Sequence, residues 1–252
     1  MSDKLNGKRA LVTAGGQGIG LAISRALLDA GCNVAVHYFS SADAANQLKA
    51  EYDDGRVEVF QADLTDESQA EQMVKQAVDT LGGMDILINN AGSLIGRKLL
   101  EEIDMKFWQT VVDVNMTSML NVTKFARPAL QEAKGASVVN LASLAGRKGG
   151  HPGSLVYSTA KGAVLTMTRA LSTELGADGI RVNALAPGLI LETSFHNTHT
   201  TKESADATIA QIPIGRAGNP GDVAHAALFL AEQLDGFVTG ATLDINGGVY
   251  CA

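Results

Sequence analysis

Seven short apolar runs, separated by longer stretches of helical periodicity, constrain the fold of this chain more than any other feature. The runs are Arg9-Ala-Leu-Val-Thr-Ala14, Asn33-Val-Ala-Val-His37, Val57-Glu-Val-Phe60, Met84-Asp-Ile-Leu-Ile88, Ala136-Ser-Val-Val-Asn140, Ile180-Arg-Val-Asn-Ala-Leu185 and Ala241-Thr-Leu-Asp-Ile245. Each reads as a buried strand. Between them, segments such as Ile19 to Leu28 and Ala70 to Leu81 repeat apolar residues every three or four positions, as helices packed on one side do. Strand–helix alternation predicts a doubly wound α/β domain: a parallel seven-stranded sheet with right-handed crossovers and helices on both faces. At 252 residues the chain fits one such domain, residues 1–252, without a linker or repeat. Ligands of these sheets bind beyond the carboxyl ends of the strands, so functional residues are expected just after each run.

Composition narrows the class further. Apolar residues make up 46% and charged residues 19%, the balance of a globular protein, and the net charge of -7 argues against a nucleic-acid surface. Cys32 and Cys251 make neither a disulfide framework nor a zinc pattern, so no metal site is expected and a reducing cytoplasm is the expected compartment. The opening Met-Ser-Asp-Lys lacks the apolar core of a signal peptide, and no apolar run approaches the ~20 residues of a membrane span.

Two strand ends carry chemistry. After the first, Thr13-Ala14-Gly15-Gly16-Gln17-Gly18-Ile19-Gly20 opens a helix. Glycines there let the backbone turn tightly and approach a pyrophosphate resting on the helix N-terminus. After the fifth come Ser143 and then Tyr157-Ser-Thr-Ala-Lys161. On a helix, positions i and i+4 share a face, which puts the Lys161 ammonium near the Tyr157 phenol. A phenol titrates near ~10, and a neighbouring cation is expected to lower that value and suit it to general acid/base work. Taken singly, Tyr157 and Lys161 also fit a solvated helix face, Ser143 a capping hydroxyl and Asn115 a helix kink.

In these segments the chain resembles the short-chain dehydrogenase/reductase family, whose Rossmann-type domain opens on Thr-Gly-x-x-x-Gly-x-Gly. Ala14 stands at that motif's first glycine, which leaves Gly15 and Gly16 as the expected carriers of the turn. The resemblance continues through Asp63, Asn89-Asn90-Ala91-Gly92, Pro187-Gly188, Gly215-Arg216-x-Gly218-x-Pro220 and Asp244-Ile-Asn-Gly-Gly248. It implies Asn115, Ser143, Tyr157 and Lys161 as a catalytic tetrad. Tyr157 would exchange a proton with the substrate oxygen while hydride moves to or from a nicotinamide. Ser143 would bond the same oxygen, Lys161 would depress the phenol and bond the nicotinamide ribose, and Asn115 would hold a water of a proton relay. The implied cofactor contacts are Thr13, Gly15, Gln17, Gly18, Ile19, Gly20, His37, Ser40, Asp63, Leu64, Asn90, Ala91, Gly92, Tyr157, Lys161, Pro187, Gly188 and Ile190. It also implies a homotetramer, for which the apolar circumference of Ala163, Val164, Leu165, Met167, Ala170 and Leu171 is suggestive, packing within one subunit being the alternative.

Cofactor and substrate choice rest on fewer residues. The second strand ends Val36-His37-Tyr38-Phe39-Ser40-Ser41, with no carboxylate to repel the ribose phosphate of NADP(H). His37, Ser40 and Ser41 are expected to bond that phosphate, so NADP(H) is expected to be preferred over NAD(H), although Ser40 and Ser41 also fit a helix N-cap. The segment at about 189–211, with Glu192, Thr193, Ser194, His196, Asn197, Thr198, His199, Thr200 and Thr201, reads as a polar lid suited to a small hydroxyl-rich substrate. Arg97, Lys98, Arg147 and Lys148 follow strand ends; they are either solvated or turned to the cleft to hold a carboxylate. Gly96-Arg97-Lys98, Phe195-His196 and the Asp-Ile-Asn-Gly-Gly segment resemble bacterial reductases of keto-uronates from alginate breakdown. The alternatives are a 3-oxoacyl-carrier-protein reductase and a non-enzymatic dinucleotide sensor. Between Ser143 and Tyr157 the chain carries one residue more than many members of the family, absorbed in the glycine-rich loop Arg147 to Gly153.

Overall fold

All seven runs form strands. A computed structural model describes residues 3–40, 42–52, 55–193, 198, 200–232 and 236–251. The strands are β1 (Arg9–Val12), β2 (Asn33–Tyr38), β3 (Val57–Gln61), β4 (Ile86–Asn89), β5 (Ser137–Leu141), β6 (Arg181–Pro187) and β7 (Thr242–Ile245). They pair in one parallel sheet of order β3-β2-β1-β4-β5-β6-β7. The order reverses between β1 and β4, and a crevice opens where the crossovers diverge to opposite faces.

The helices are α1 (Gly18–Asp29), α2 (Asp43–Glu51), α3 (Glu67–Leu81), α4 (Met105–Val112), α5 (Ser118–Glu132), α6 (Leu144–Lys148), α7 (Leu155–Leu175), α8 (Lys202–Ile209) and α9 (Pro220–Glu232). Because successive strand residues point to opposite faces, the sheet feeds two cores. Val34 and Val36 pack with Ile23, Leu27 and Leu230 beneath α1 and α9. Leu11, Ala35, Leu87 and Val138 pack with Met73, Val122 and Leu130 beneath α3 and α5. Much of α7's apolar circumference is used within the chain: Val164, Leu165 and Met167 form a third cluster with Met119 and Ala184, and Leu171 joins the second.

The glycine turn differs from its expected construction. Ala14 itself holds the left-handed backbone, φ 49°, and Gly18 holds φ 50°. Gly15 and Gly16 have ordinary φ and are required for closeness instead. A Cβ on Gly15 would stand 2.9 Å from the Ser24 hydroxyl, and one on Gly16 would stand 2.9 Å from the Ala45 Cβ. An L side chain in the left-handed region costs roughly 1–2 kcal/mol. Ala14→Gly is therefore expected to raise stability by about 1 kcal/mol, or about 2–4 °C in melting temperature, measured by calorimetry of the cofactor-free protein. An unchanged or lower melting temperature would show that no strain is held there.

Candidate active site

The polar side chains of the crevice first knit strand ends to one another. Thr13 is buried, and its hydroxyl donates to the Ile88 carbonyl (3.2 Å) and accepts from the Asn90 and Ala91 amides (both 2.9 Å). The Asn90 side chain donates to the Thr13 and Ala14 carbonyls at 3.0 and 3.1 Å. Asn89, one residue earlier, donates instead to Thr123 and Asn140 inside the sheet, and Asn140 donates to Thr168. The two asparagines thus have separate duties, one holding the crevice and the other the core. Asp63 is fixed by accepting from the Thr65 amide and hydroxyl at 2.9 and 2.7 Å, and Leu64 beside it is buried.

Asn115, Ser143, Tyr157 and Lys161 converge as expected. Asn115 sits in a π-helical turn, Asp113–Thr117, between α4 and α5. Its buried amide donates to the Ser93 and Val111 carbonyls (2.7 and 2.8 Å) and accepts from the Ser93 amide (3.2 Å). Gly92 leaves the room for this: a Cβ there would stand 2.8 Å from Asn115 Oδ1 and 2.9 Å from Lys161 Nζ. Ser143 caps α6 through the Ala145 amide (3.1 Å), as one of its readings expects, and also bonds the Tyr157 phenol.

The electrostatics of the pair depart from expectation. Burial pushes the Tyr157 phenol up to about 12, opposed by its bond to Ser143. Lys161 Nζ lies 5.8 Å from the centre of the Tyr157 ring and donates to the Leu141 carbonyl at 2.7 Å. Burial in turn brings its ammonium down to about 8. In this state desolvation outweighs the Ser143 bond, so Tyr157 is a protonated donor at neutral pH.

Ser143, Tyr157 and Lys161 line a cavity of about 460 Å³ together with Ala14, Gln17, Gly18, Ile19, Asn90, Gly92, Pro187, Gly188 and Ile190, whereas Asn115 lies buried behind it. Gly188 is held against Asn246, where a Cβ would meet the Asn246 Cβ at 3.0 Å. Thr193 of the expected lid also lines the cavity, buried beside Gly18 and donating to the Ile190 carbonyl at 3.2 Å. Among the lining residues not singled out from the sequence is His151, in the loop that absorbs the extra residue, where no periodicity could mark it. The lid contributes Thr198, Thr200, Ser204, Thr208 and Gln211, whereas Ser194, His196, Asn197 and His199 lie outside the described residues.

Three expectations are corrected. His37 is 2% exposed and its ring is spent on backbone, Nδ1 accepting from the Ala14 amide and Nε2 donating to the Ala62 carbonyl, both at 3.0 Å. It has no nitrogen left for a phosphate. Ser40 is exposed but caps nothing; the N-cap of α2 is Ala42, and Ser41 lies outside the described residues. The four basic residues separate. Arg147 makes a bidentate pair with Asp244, both bonds 3.1 Å, and Lys98 pairs with Asp104 at 2.7 Å over the Phe107 ring. Arg97 and Lys148 line the cavity, Arg97 with one nitrogen donating to the Pro152 carbonyl at 3.2 Å.

A family model described as enoyl-(acyl carrier protein) reductase matches residues 13–250, which include the glycine turn, the tetrad and the lid. The chain belongs to the short-chain dehydrogenase/reductase family. It is an oxidoreductase of that family. Among its short-chain dehydrogenase/reductase relatives is the 3-oxoacyl-[acyl-carrier-protein] reductase FabG of Staphylococcus aureus, 34% identical over 96% of this chain and 98% of the relative. The acetoacetyl-CoA reductase of Shinella zoogloeoides is 36% identical over 96% and 98%. An NADH-dependent reductase A1-R' responsible for alginate metabolism superposes with a TM-score of 0.89 at 32% identity over the whole of both chains. A dehydrogenase/reductase of Sinorhizobium meliloti superposes at 0.91, with 32% identity over 99% and 98%.

Proposed function

We propose that this short-chain dehydrogenase/reductase moves hydride between a nicotinamide dinucleotide and a small polar carbonyl compound, a sugar derivative bearing a carboxylate. The observation that carries the reading is the convergence of Tyr157, Ser143 and Lys161 on a cavity walled on one side by glycines and on the other by a polar lid. The residues fit a dinucleotide: Gly15, Gly16, Gly20 and Gly92 each sit where a Cβ would close the cradle against a neighbour within 3 Å. Gln17, Gly18, Ile19, Asp63, Asn90, Ala91, Pro187 and Gly188 would hold it, with Thr13 and Leu64 acting from behind the backbone they support. When bound, the dinucleotide supplies the hydride donor or acceptor. Tyr157 gives the substrate oxygen its proton, Ser143 holds that oxygen in place, and Lys161, charged below about 8, stabilises the phenolate left behind. Asn115 keeps the Ser93 backbone and the Lys161 pocket in register; its role in a water relay is part of the proposal.

Cofactor discrimination is expected to be small. The end of β2 offers neither a carboxylate to repel a ribose phosphate nor a cation to clamp it, and His37 is committed elsewhere. Among the described residues the bond left to favour NADP(H) is from the exposed Ser40 hydroxyl to the charged phosphate, worth about 1.5 kcal/mol, so NADP(H) leads NAD(H) by about tenfold. The carboxylate falls to Arg97 and Lys148, with His151 beside them. A charged contact of this kind is worth roughly 1.5–3 kcal/mol in ground and transition states alike, so Lys148→Ala or Arg97→Ala raises KM for a keto-uronate more than about tenfold with little loss of kcat. If both variants keep the wild-type KM, the carboxylate reading fails.

A second reading, reduction of 3-oxoacyl thioesters, is favoured by the names of the Staphylococcus and Shinella relatives and by the apolar part of the wall, Leu94, Leu144, Leu189, Ile212 and Val249. One panel decides: keto-sugars, keto-uronates and acyl thioesters, each with NADH and NADPH. Highest kcat/KM on an acyl thioester would replace the first reading, and a cofactor ratio above a hundredfold either way would overturn the account of β2. Within the same proposal the enzyme is a cytoplasmic homotetramer. Exposed Leu100, Met105, Leu120 and Leu155 leave an apolar surface around α4, α5 and α7 for a second copy, and a monomeric mass in light scattering would reject it.

A further inference from the structure

The buried His37 ring joins three strand ends. Its Nδ1 accepts from the Ala14 amide and its Nε2 donates to the Ala62 carbonyl, each at 3.0 Å, while its own carbonyl accepts from the Gly15 amide at 2.9 Å. This bond pattern requires the neutral ring with its proton on Nε2. Ala14 is the residue it grips, and Ala14 holds the strained left-handed turn with which the dinucleotide loop begins. The other end of that residue is held by Asn90, which donates to the Ala14 carbonyl at 3.1 Å. A residue kept in a sparsely populated conformation persists only where its surroundings over-determine it. Here His37 and Asn90 do so from opposite ends of one residue.

We propose that His37 is a positioning residue for the dinucleotide loop, and that its protonation releases Ala14 and weakens cofactor binding on the acid side. A protonated ring presents an N–H at Nδ1 to the Ala14 N–H, donor against donor, so the bond is lost and the turn loses one of its two holds. The charged group acting on the ring is Asp63, which follows Ala62 and favours the proton; burial opposes it and prevails, holding the ring below its ordinary range near 6.5. Among the described residues, those bonded to His37, paired with it or placed on its face of the sheet do not titrate: Ala14 and Gly15 from the end of β1, Phe60 and Ala62 from β3 and its end, and Leu11, Ala35 and Leu64 on that face. The sign follows. The unfolded chain takes the proton near ~6.5 and the folded chain only at lower pH, so folded stability falls as pH drops below ~6.5, and cofactor affinity falls once pH approaches the lower value at which the folded, cofactor-free ring takes its proton.

The inference rests on the proposed nicotinamide dinucleotide, and the test separates the two. Kd for NADH and NADPH is measured by fluorescence titration from about pH 8 down to the lowest pH at which each protein stays folded, for wild type, His37→Asn and His37→Leu, with thermal melting of each cofactor-free protein over the same range. Asparagine places a non-titrating acceptor near the Nδ1 position, so His37→Asn is expected to bind like wild type at about pH 8 and to lose the acid-side weakening. Wild type is expected to weaken about tenfold more than His37→Asn over the range, and its melting temperature to fall more steeply. His37→Leu is expected to bind about tenfold more weakly at every pH, with kcat at saturating cofactor little changed. Parallel wild-type and His37→Asn profiles overturn this proposal alone, and they decide it even if His37→Leu does not fold. Wild-type affinity in a folded His37→Leu also overturns it. Failure of the wild type to bind either dinucleotide at about pH 8 overturns the dinucleotide reading and this proposal with it.

Discussion

Tyr157→Phe is expected to lower turnover by at least about a hundredfold on any accepted substrate, with cofactor affinity retained. The phenylalanine ring keeps the packing on α7 and removes only the hydroxyl that Ser143 bonds. The remaining machinery still positions carbonyl and hydride donor, so residual activity reflects proximity without proton transfer. Since the phenol stays protonated to about 12 and the Lys161 ammonium only to about 8, the wild-type reductive rate falls as pH rises through about 8, when the stabilising charge is lost. That limb reports Lys161, and in Tyr157→Phe it flattens with the rate. Steady-state kinetics across pH, beside cofactor titration, measures both. Near-wild-type turnover in the variant removes Tyr157 from the mechanism.

Gly20→Ala is expected to be nearly as damaging for an unrelated reason. A Cβ there overlaps the Ala14 carbonyl oxygen and stands 2.5 Å from the Asn90 side-chain nitrogen. The obstacle is backbone already fixed at both ends, so relief requires moving α1 away from the turn. Overpacking of this kind costs about 3 kcal/mol, or about 10 °C in melting temperature, and cofactor binding goes with it. Gly215→Ala is the comparison, because a Cβ there meets nothing within 4 Å and φ alone, 73°, resists the change. If the two variants melt together, close approach at Gly20 is not what the glycine serves.

The architecture was legible because each strand carries a short run dominated by Val, Ile, Leu or Ala between helical stretches, and boundaries shifted only where a strand runs into its loop, as at Thr13 and Ala14. The meeting of Ser143, Tyr157 and Lys161 at one cavity was legible as residue types, Ser143 after β5 and the other two one turn apart on α7. Three things were not. The left-handed turn at Ala14 is invisible because alanine does not advertise positive φ; only its odd placement in the motif hinted that the turn was built differently. His37 was misplaced because β2 is covered on both faces, so its alternation carries no polar signal to tell an inward ring from an outward one. The basic residues could not be separated because their partners are remote: Arg147 is committed by Asp244, 97 positions later. A loop arginine's availability is decided by a strand the local sequence does not contain.

That same Arg147–Asp244 pair has a consequence for how activity is acquired. It ties the helix following Ser143 to β7, the edge strand, while Thr13 ties β1 to the loop after β4. The pocket proposed as the active site is thus drawn from positions 14 to 249 and belongs to no contiguous fragment of the chain. Long-range pairings of this kind form late, after the loop-closure entropy between distant segments has been overcome. Catalysis is then a reporter of cooperativity: regain of turnover during refolding tracks closure of the last edge of the sheet, not collapse of the first nucleotide-binding half. A chain halted with β1 to β4 in place already owns its glycine turn and has no enzyme.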